Sequence, residues 1–208
     1  MKLYGVPGWG STIVEIMFAL AEEPYEFVDV DGFDRPGLAR DRLLAINPLA
    51  QVPTLVLDDS LVLTESAAIA LWLCGRHPHL APPAGTSDHA RFLRLLVWYV
   101  ANVYPTFTYG DYPERWTPSA PDELRQATDR RREELYRWLE TEIAGPFVMG
   151  RQVTMLDAYV ACITSWRPRR DWFAAHAPRL LAVAERTRQL EQVAPVIRRS
   201  GLIEADAG

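Results

Sequence analysis

Residues 51–66 read QVPTLVLDDSLVLTES, and the reading of this stretch decides the fold. Val52 to Leu57 and Leu61 to Leu63 are apolar, β-branched runs flanking Asp58-Asp59-Ser60, which predicts an antiparallel hairpin. Thr64-Glu65-Ser66 then opens an apolar helix. Upstream, Lys2 to Val6 alternates weakly and ends at Pro7-Gly8, a short strand running into a Gly/Ser loop. Ile13, Ile16, Met17 and Leu20 recur at helical spacing up to Pro24, which predicts a helix capped by Ser11 or Thr12. Tyr25 to Val30 alternates again, so strand, helix and strand form a parallel pair with a crossover helix. A Gly/Asp/Pro-rich loop from Asp31 to Gly37 and a short helical piece ending near Asn47-Pro48 lead back to the hairpin. The order βαβ, helix, ββα is that of a mixed four-stranded sheet of thioredoxin-like type, predicted over residues 1–76.

Beyond it the pattern changes. Residues 77–87 hold Pro78, Pro82, Pro83 and Gly85 and read as a linker, and residues 88–208 read as an all-helical domain. Phe92 to Tyr104 is apolar nearly all round, as a helix buried in the middle of a bundle would be. Leu124 to Ile143 is more amphipathic. The fold class is thus α/β followed by all-α.

Composition narrows the function. Of 208 residues 49% are hydrophobic and 24% charged, which excludes a disordered chain. No apolar stretch reaches the roughly 18 to 20 residues of a membrane span, and no basic stretch with an apolar core opens the chain. A cytoplasmic protein is expected. The net charge is −5, with arginines spread over many segments, so neither nucleic acid nor an acidic membrane is an expected partner. Cys74 and Cys162 lie far apart and outside any Cys/His cluster, so neither a disulfide framework nor a metal site is expected.

Three segments carry chemistry. A proline where a strand is about to start, Pro53, is either an ordinary edge proline or the end of a cis turn. Such a turn would expose the Val52 backbone for pairing with an extended peptide. Thr64-Glu65-Ser66 is either a plain helix cap or a receptor for an α-amino acid end, with the helix N–H groups on the carboxylate and Glu65 on the ammonium. In the loop Pro7 to Thr12, the Ser11 hydroxyl either caps the helix or faces an anion in front of it.

Taken in order, Lys2-Leu3-Tyr4, the Gly-Ser loop, Gln51-Val52-Pro53 and Glu65-Ser66, followed by a helical half, resemble the cytosolic glutathione S-transferases. Val153-Thr154-Met155-Leu156-Asp157-Ala158-Tyr159 is similar to the structural capping box of that family's core helix. The resemblance implies glutathione as co-substrate, no metal, a hydrophobic small-molecule electrophile, a homodimer and a role in detoxification. It places glutathione on the Val52 backbone beside Gln51 and Pro53, on Glu65 and Ser66, and, more loosely, on Arg35. The electrophile is expected against Trp9, Tyr104, Tyr109, Tyr112 and Trp116.

The catalytic loop departs from the family. Gly10 stands where bacterial members often carry cysteine, Gly5 where tyrosine-type members keep their tyrosine, and Glu15 where an arginine is common. Ser11 is left as the expected thiolate stabiliser, with Thr12 in reserve. A carrier without turnover and an interaction scaffold are the alternative functions.

Overall fold

The computed structural model describes residues 1–202; residues 203–208, the tail of the predicted helical domain, lie outside the described residues. The described residues form two compact units. The first joins residues 1–80 to the segment from Arg188 onward; the second is Ala81–Thr187.

In the first unit, strands β1 (Lys2–Gly5), β2 (Glu26–Asp29), β3 (Thr54–Val56) and β4 (Val62–Leu63) form one sheet in the order β2-β1-β3-β4. β1 runs parallel to β2 and antiparallel to β3, and β3 pairs antiparallel with β4, as the hairpin signal predicts. Helix α1 (Gly10–Ala21) is the crossover. It buries Ile13, Val14, Ile16, Met17 and Phe18 completely, each apolar side chain contributing roughly 1.5–3 kcal/mol. It stops at Glu22, whose left-handed φ of 51° turns its N–H back onto Ala19 ahead of Pro24.

Side chains alternate across β1, so Leu3 and Gly5 face α1 while Tyr4 faces the other way. Tyr4 packs with Val52 on a buried cluster of Val6, Val30, Phe33, Leu43 and Ala50. Leu43 comes from the short helix α2 (Leu38–Leu44). Helix α3 (Ser66–Arg76) packs on α1.

In the second unit, α4 (Ser87–Trp98) is capped by Thr86, whose Oγ1 accepts the His89 N–H at 3.1 Å. A π-helical turn, Tyr99–Val103, joins it to α5 (Tyr104–Asp111). Pro105 is the cause: it has no N–H to return to the Ala101 carbonyl four residues back, so the ladder breaks there. The sequence reading put the most buried helix at 92–104, yet Val97 is 57% exposed. The helix buried on every side is α7 (Met155–Ile163), and the long α6 (Pro121–Glu142) packs on α5. Helices α8 (Arg170–His176) and α9 (Pro178–Arg188) follow.

The last described helix, α10 (Ala194–Ser200), groups with the first unit because it packs on α1, whereas the sequence reading assigned all of 88–208 to the helical domain. Among the described residues, no helix is long and apolar enough to cross a membrane.

Candidate functional site

Strand register brings the predicted glutathione-contacting segments to one end of the sheet. Tyr4 lies opposite Thr54, so the loop leaving β1 (residues 6–10) and the loop entering β3 (residues 51–53) share an end. Leu63 lies opposite Leu55, so β4 runs out into Thr64, Glu65 and Ser66 at that same end. The parallel pairing of Gly5 with Asp29 adds the loop after β2, which carries Arg35. Four loops therefore converge where α1 and α3 begin.

The Val52–Pro53 peptide bond is cis. Val52 is half-buried, Pro53 buried and Gln51 exposed. Ladder pairing in β3 begins at Thr54, which leaves the Val52 backbone outside the sheet. The loop is held by a side chain the sequence reading passed over. Asn47 is buried, and its Nδ2 donates to the Gln51 carbonyl at 3.2 Å and to Thr54 Oγ1 at 3.0 Å, while its Oδ1 accepts the Leu49 N–H at 3.0 Å. The signal available was its place in the Asn-Pro pair that ends α2.

Glu65 is the N-cap residue of α3 and has φ 63° and ψ 110°. A non-glycine residue held at positive φ costs about 1–3 kcal/mol, and such strain gathers at ligand sites. Glu65 is exposed, Ser66 is buried at the helix start, and no Glu65 side-chain bond caps the helix. The plain-cap reading of Thr64-Glu65-Ser66 therefore has no support from Glu65. Arg35 is exposed, its nearest charge the Asp34 carboxylate at 3.8 Å.

The catalytic loop corrects the sequence reading. Helix α1 starts at Gly10, with Trp9 as N-cap and no side-chain capping bond, so Ser11 and Thr12 lie inside the helix rather than at its cap. Ser11 is fully buried. Its Oγ donates to the Val6 carbonyl at 2.8 Å and accepts the Val6 N–H at 2.9 Å. A hydroxyl has one proton, and Ser11 has given it to Val6, so Ser11 is not the expected hydrogen-bond donor to a thiolate.

Gly5 shows how close this packing is, since a Cβ there would stand 2.3 Å from the Ser11 Cβ. Thr12 is equally buried, and its Oγ1 accepts the Gly8 N–H at 2.9 Å. Both hydroxyls brace the loop from inside. What the loop offers an anion is the first N–H groups of α1, Gly10 and Ser11, which have no intrahelical acceptor, and the positive end of the helix.

The charge reversal at Glu15 has a structural reason. Glu15 is fully buried, and its Oε1 receives Arg199 Nη2 at 2.6 Å and Nε at 3.1 Å from α10, and the Tyr25 hydroxyl at 3.1 Å. Arg199 also donates to the Tyr25 oxygen at 2.6 Å. Burial, then the neighbouring Glu15 charge, hold the Tyr25 phenol above its ordinary range. Burial alone would lower Arg199, but its bonds to Glu15 hold it above its ordinary value. The carboxylate charge is thus answered within the unit.

The two thiols offer no nucleophile. Burial pushes Cys74 up to about 11, and Cys162 is buried in α7. Among the described residues no group of His, Cys, Asp and Glu is placed to hold a metal ion.

Trp9 is 37% exposed and meets Phe33 edge to face at 5.7 Å. The other expected electrophile contacts belong to the second unit. Tyr104 meets Trp166 at 6.3 Å, Tyr109 and Trp116 form an edge-to-face pair at 4.8 Å, and the Arg115 guanidinium lies 4.0 Å over Tyr112. Tyr109 and Trp116 are exposed. Helix α5, which carries Tyr104 and Tyr109, is locked by Arg132, another residue the sequence reading passed over. Nearly fully buried on α6, Arg132 donates to Thr106 Oγ1 and the Thr106 carbonyl, both at 2.8 Å, and to Asp129 at 2.8 Å.

Ser11→Ala is expected to lower the free energy of unfolding by about 1–3 kcal/mol, because the buried Val6 N–H loses its partner and the Val6 C=O keeps only the Trp9 N–H at 3.2 Å. Its thiol titration with bound glutathione should match the wild type. An upward shift of that titration in a variant of unchanged stability would restore the hydroxyl to a catalytic role.

Comparison with known proteins gives a consistent answer. A family model described as glutathione S-transferase, N-terminal domain, matches residues 11–76. A protein of Escherichia coli K12 described as uncharacterized GST-like protein YncG is 48% identical over 98% of this chain and 100% of its own length. A bacterial beta class glutathione S-transferase from Sphingomonas chungbukensis superposes with a TM-score of 0.80 at 27% identity, covering 98% of this chain and all of that one. A sphingomonad glutathione S-transferase complexed with glutathione superposes with a TM-score of 0.79, at 27% identity over 97% of this chain and all of that one.

Proposed function

Because the chain belongs to the glutathione S-transferase family, we propose that it binds glutathione and transfers it to a small hydrophobic electrophile. The observation that carries this reading is the strained Glu65 at the start of α3, at the same end of the sheet as the Val52–Pro53 turn. The Glu65 carboxylate takes the γ-glutamyl ammonium, Ser66 and the α3 N–H groups take its carboxylate, and the Val52 backbone pairs with the cysteinyl unit as an added strand. Gln51 and Pro53 flank that unit, and Arg35 stands by for the glycyl carboxylate.

The sulfur then lies before α1. A free thiol titrates near about 8.5, and each unit of depression needs about 1.4 kcal/mol of differential stabilisation. Two backbone N–H groups, Gly10 and Ser11, with the helix dipole behind them, are the source of that stabilisation. The thiol proton leaves to solvent, and the thiolate forms its C–S bond with an electrophilic carbon beside the exposed Trp9. The leaving group on that carbon departs to solvent with the bonding electron pair or, in an addition, the π pair moves to the neighbouring atom, which takes a proton from solvent. A homodimer and a cytoplasmic setting belong to the same reading.

One observation favours a second reading. The Ser11 hydroxyl of the catalytic loop has given its proton to the Val6 carbonyl, which suits a glutathione carrier with little turnover. Two assays separate the possibilities. Retention on immobilised glutathione together with conjugation of a chromogenic electrophile is the expected result. Retention without conjugation selects the carrier, and failure of retention removes the glutathione reading.

A further inference from the structure

We infer that Arg199 is a positioning residue for the thiolate site, holding α10 so that the end of that helix fixes the loop from which α1 presents its N–H groups. The inference rests on the proposed site before α1, but its geometry does not. Gly8 has φ +81°, and a Cβ added there would meet the Ser200 carbonyl at 2.9 Å. The last carbonyl of α10 is therefore a wall against the loop of residues 7–10, and Gly8 is the residue without a side chain that lets the wall come so close. One residue earlier on α10, Arg199 reaches Glu15 with two nitrogens and Tyr25 with one of them.

The anchor is strong for a physical reason. Glu15 is fully buried, and its second oxygen, Oε2, has no hydrogen-bond partner. Arg199 supplies the counter-charge in this contact, and a buried carboxylate deprived of its cation is strongly destabilised. The segment carrying Arg199 cannot leave α1 without giving up its bonds to Glu15 at 2.6 and 3.1 Å and to Tyr25 at 2.6 Å, so α10 stays docked and Ser200 stays against Gly8. Gly8 in turn donates its N–H to Thr12, so the loop is gripped from the α10 side and from inside α1.

Arg199→Ala tests this on the whole protein, with amide hydrogen exchange as the first readout. Exchange at Gly8, Gly10 and Ser11 is expected to speed up about tenfold or more, while β1 and β3 amides keep their protection. With glutathione bound, the thiol titration should move up by about one pH unit and kcat fall about tenfold, with the KM for glutathione changed less than about twofold. Arg199→Lys, which restores the charge without the fork, should recover most of the loop protection.

Because Arg199→Ala leaves Glu15 unpaired, the double variant Glu15→Leu, Arg199→Leu keeps the interface filled without a buried charge. It should still show the loosened loop, because apolar contact does not replace the directional hold. Wild-type loop exchange in that double variant would overturn the inference, as would a uniform rise in exchange across the first unit in Arg199→Ala. Should the wild-type protein fail to bind glutathione, the proposed function falls, while the exchange result still decides whether Arg199 positions the loop.

Discussion

Replacing Glu65 and Ser66 together by alanine is expected to weaken glutathione binding by more than about 100-fold, since two charge-assisted contacts of about 1.5–3 kcal/mol each are lost. The circular dichroism spectrum should be unchanged, because Glu65 is exposed and makes no capping bond. Glu65→Gly sharpens the test. Glycine accepts the φ of 63° at no steric cost, so this variant should lose affinity while unfolding no earlier than the wild type. Calorimetric titration with glutathione and thermal melting are the two measurements. Unchanged affinity in the double alanine variant would remove the assignment of these residues to the γ-glutamyl end.

The largest effect on stability is expected at Asp157. Its Oδ1 accepts the Val148 N–H at 2.8 Å, and its Oδ2 accepts the Thr154 N–H at 2.7 Å and the Thr154 hydroxyl at 3.0 Å, all fully buried. Asp157→Ala strands three donors, and a loss of about 3 kcal/mol, or roughly 6–12 °C in melting temperature, is expected. Thr154→Ala should cost less, about 0.5–2 kcal/mol. Conjugation per folded molecule should be unaffected in both.

Burial raises the Asp157 carboxyl to about 6, against the bonds that favour its charged form. The folded state therefore holds this proton more tightly than the unfolded chain. Its contribution to stability is complete below about pH 4, the unfolded value, and is lost as pH rises through about 6. Asp157→Ala should remove that share of the pH dependence, which urea unfolding at several pH values would measure. A wild-type pH profile in the variant would show that the carboxyl does not titrate in this range.

How far the sequence reaches depends on whether a feature is local. The four strands, α1 and the capping residues Thr154 and Asp157 were legible because each rests on neighbours in the chain: alternation, helical spacing, a Gly/Pro stop. The converging loops were legible through the hairpin, once its register was assumed. The role of Ser11 was not legible because the choice between cap and donor depends on where Val6 turns, which no spacing reveals. Arg199 and Arg132 were missed for the opposite reason. Both look like surface arginines on charged helices, and their partners, Glu15 and Thr106, lie 184 and 26 residues away. Glu15 was visible as an oddity, but its counter-charge was out of sight.

The grouping of α10 with the first 80 residues bears on how the protein is made. During synthesis, β1 through α3 emerge well before α10, with the whole of residues 81–187 between them. Until Arg199 arrives, the face of α1 bearing Glu15 has neither its covering helix nor its cation. A translation product truncated after Leu80 would carry an open apolar flank around an unanswered carboxylate. The thioredoxin-like half is therefore a unit in space but not in time, and fragments of it are candidates for chaperone capture rather than for independent use as glutathione binders.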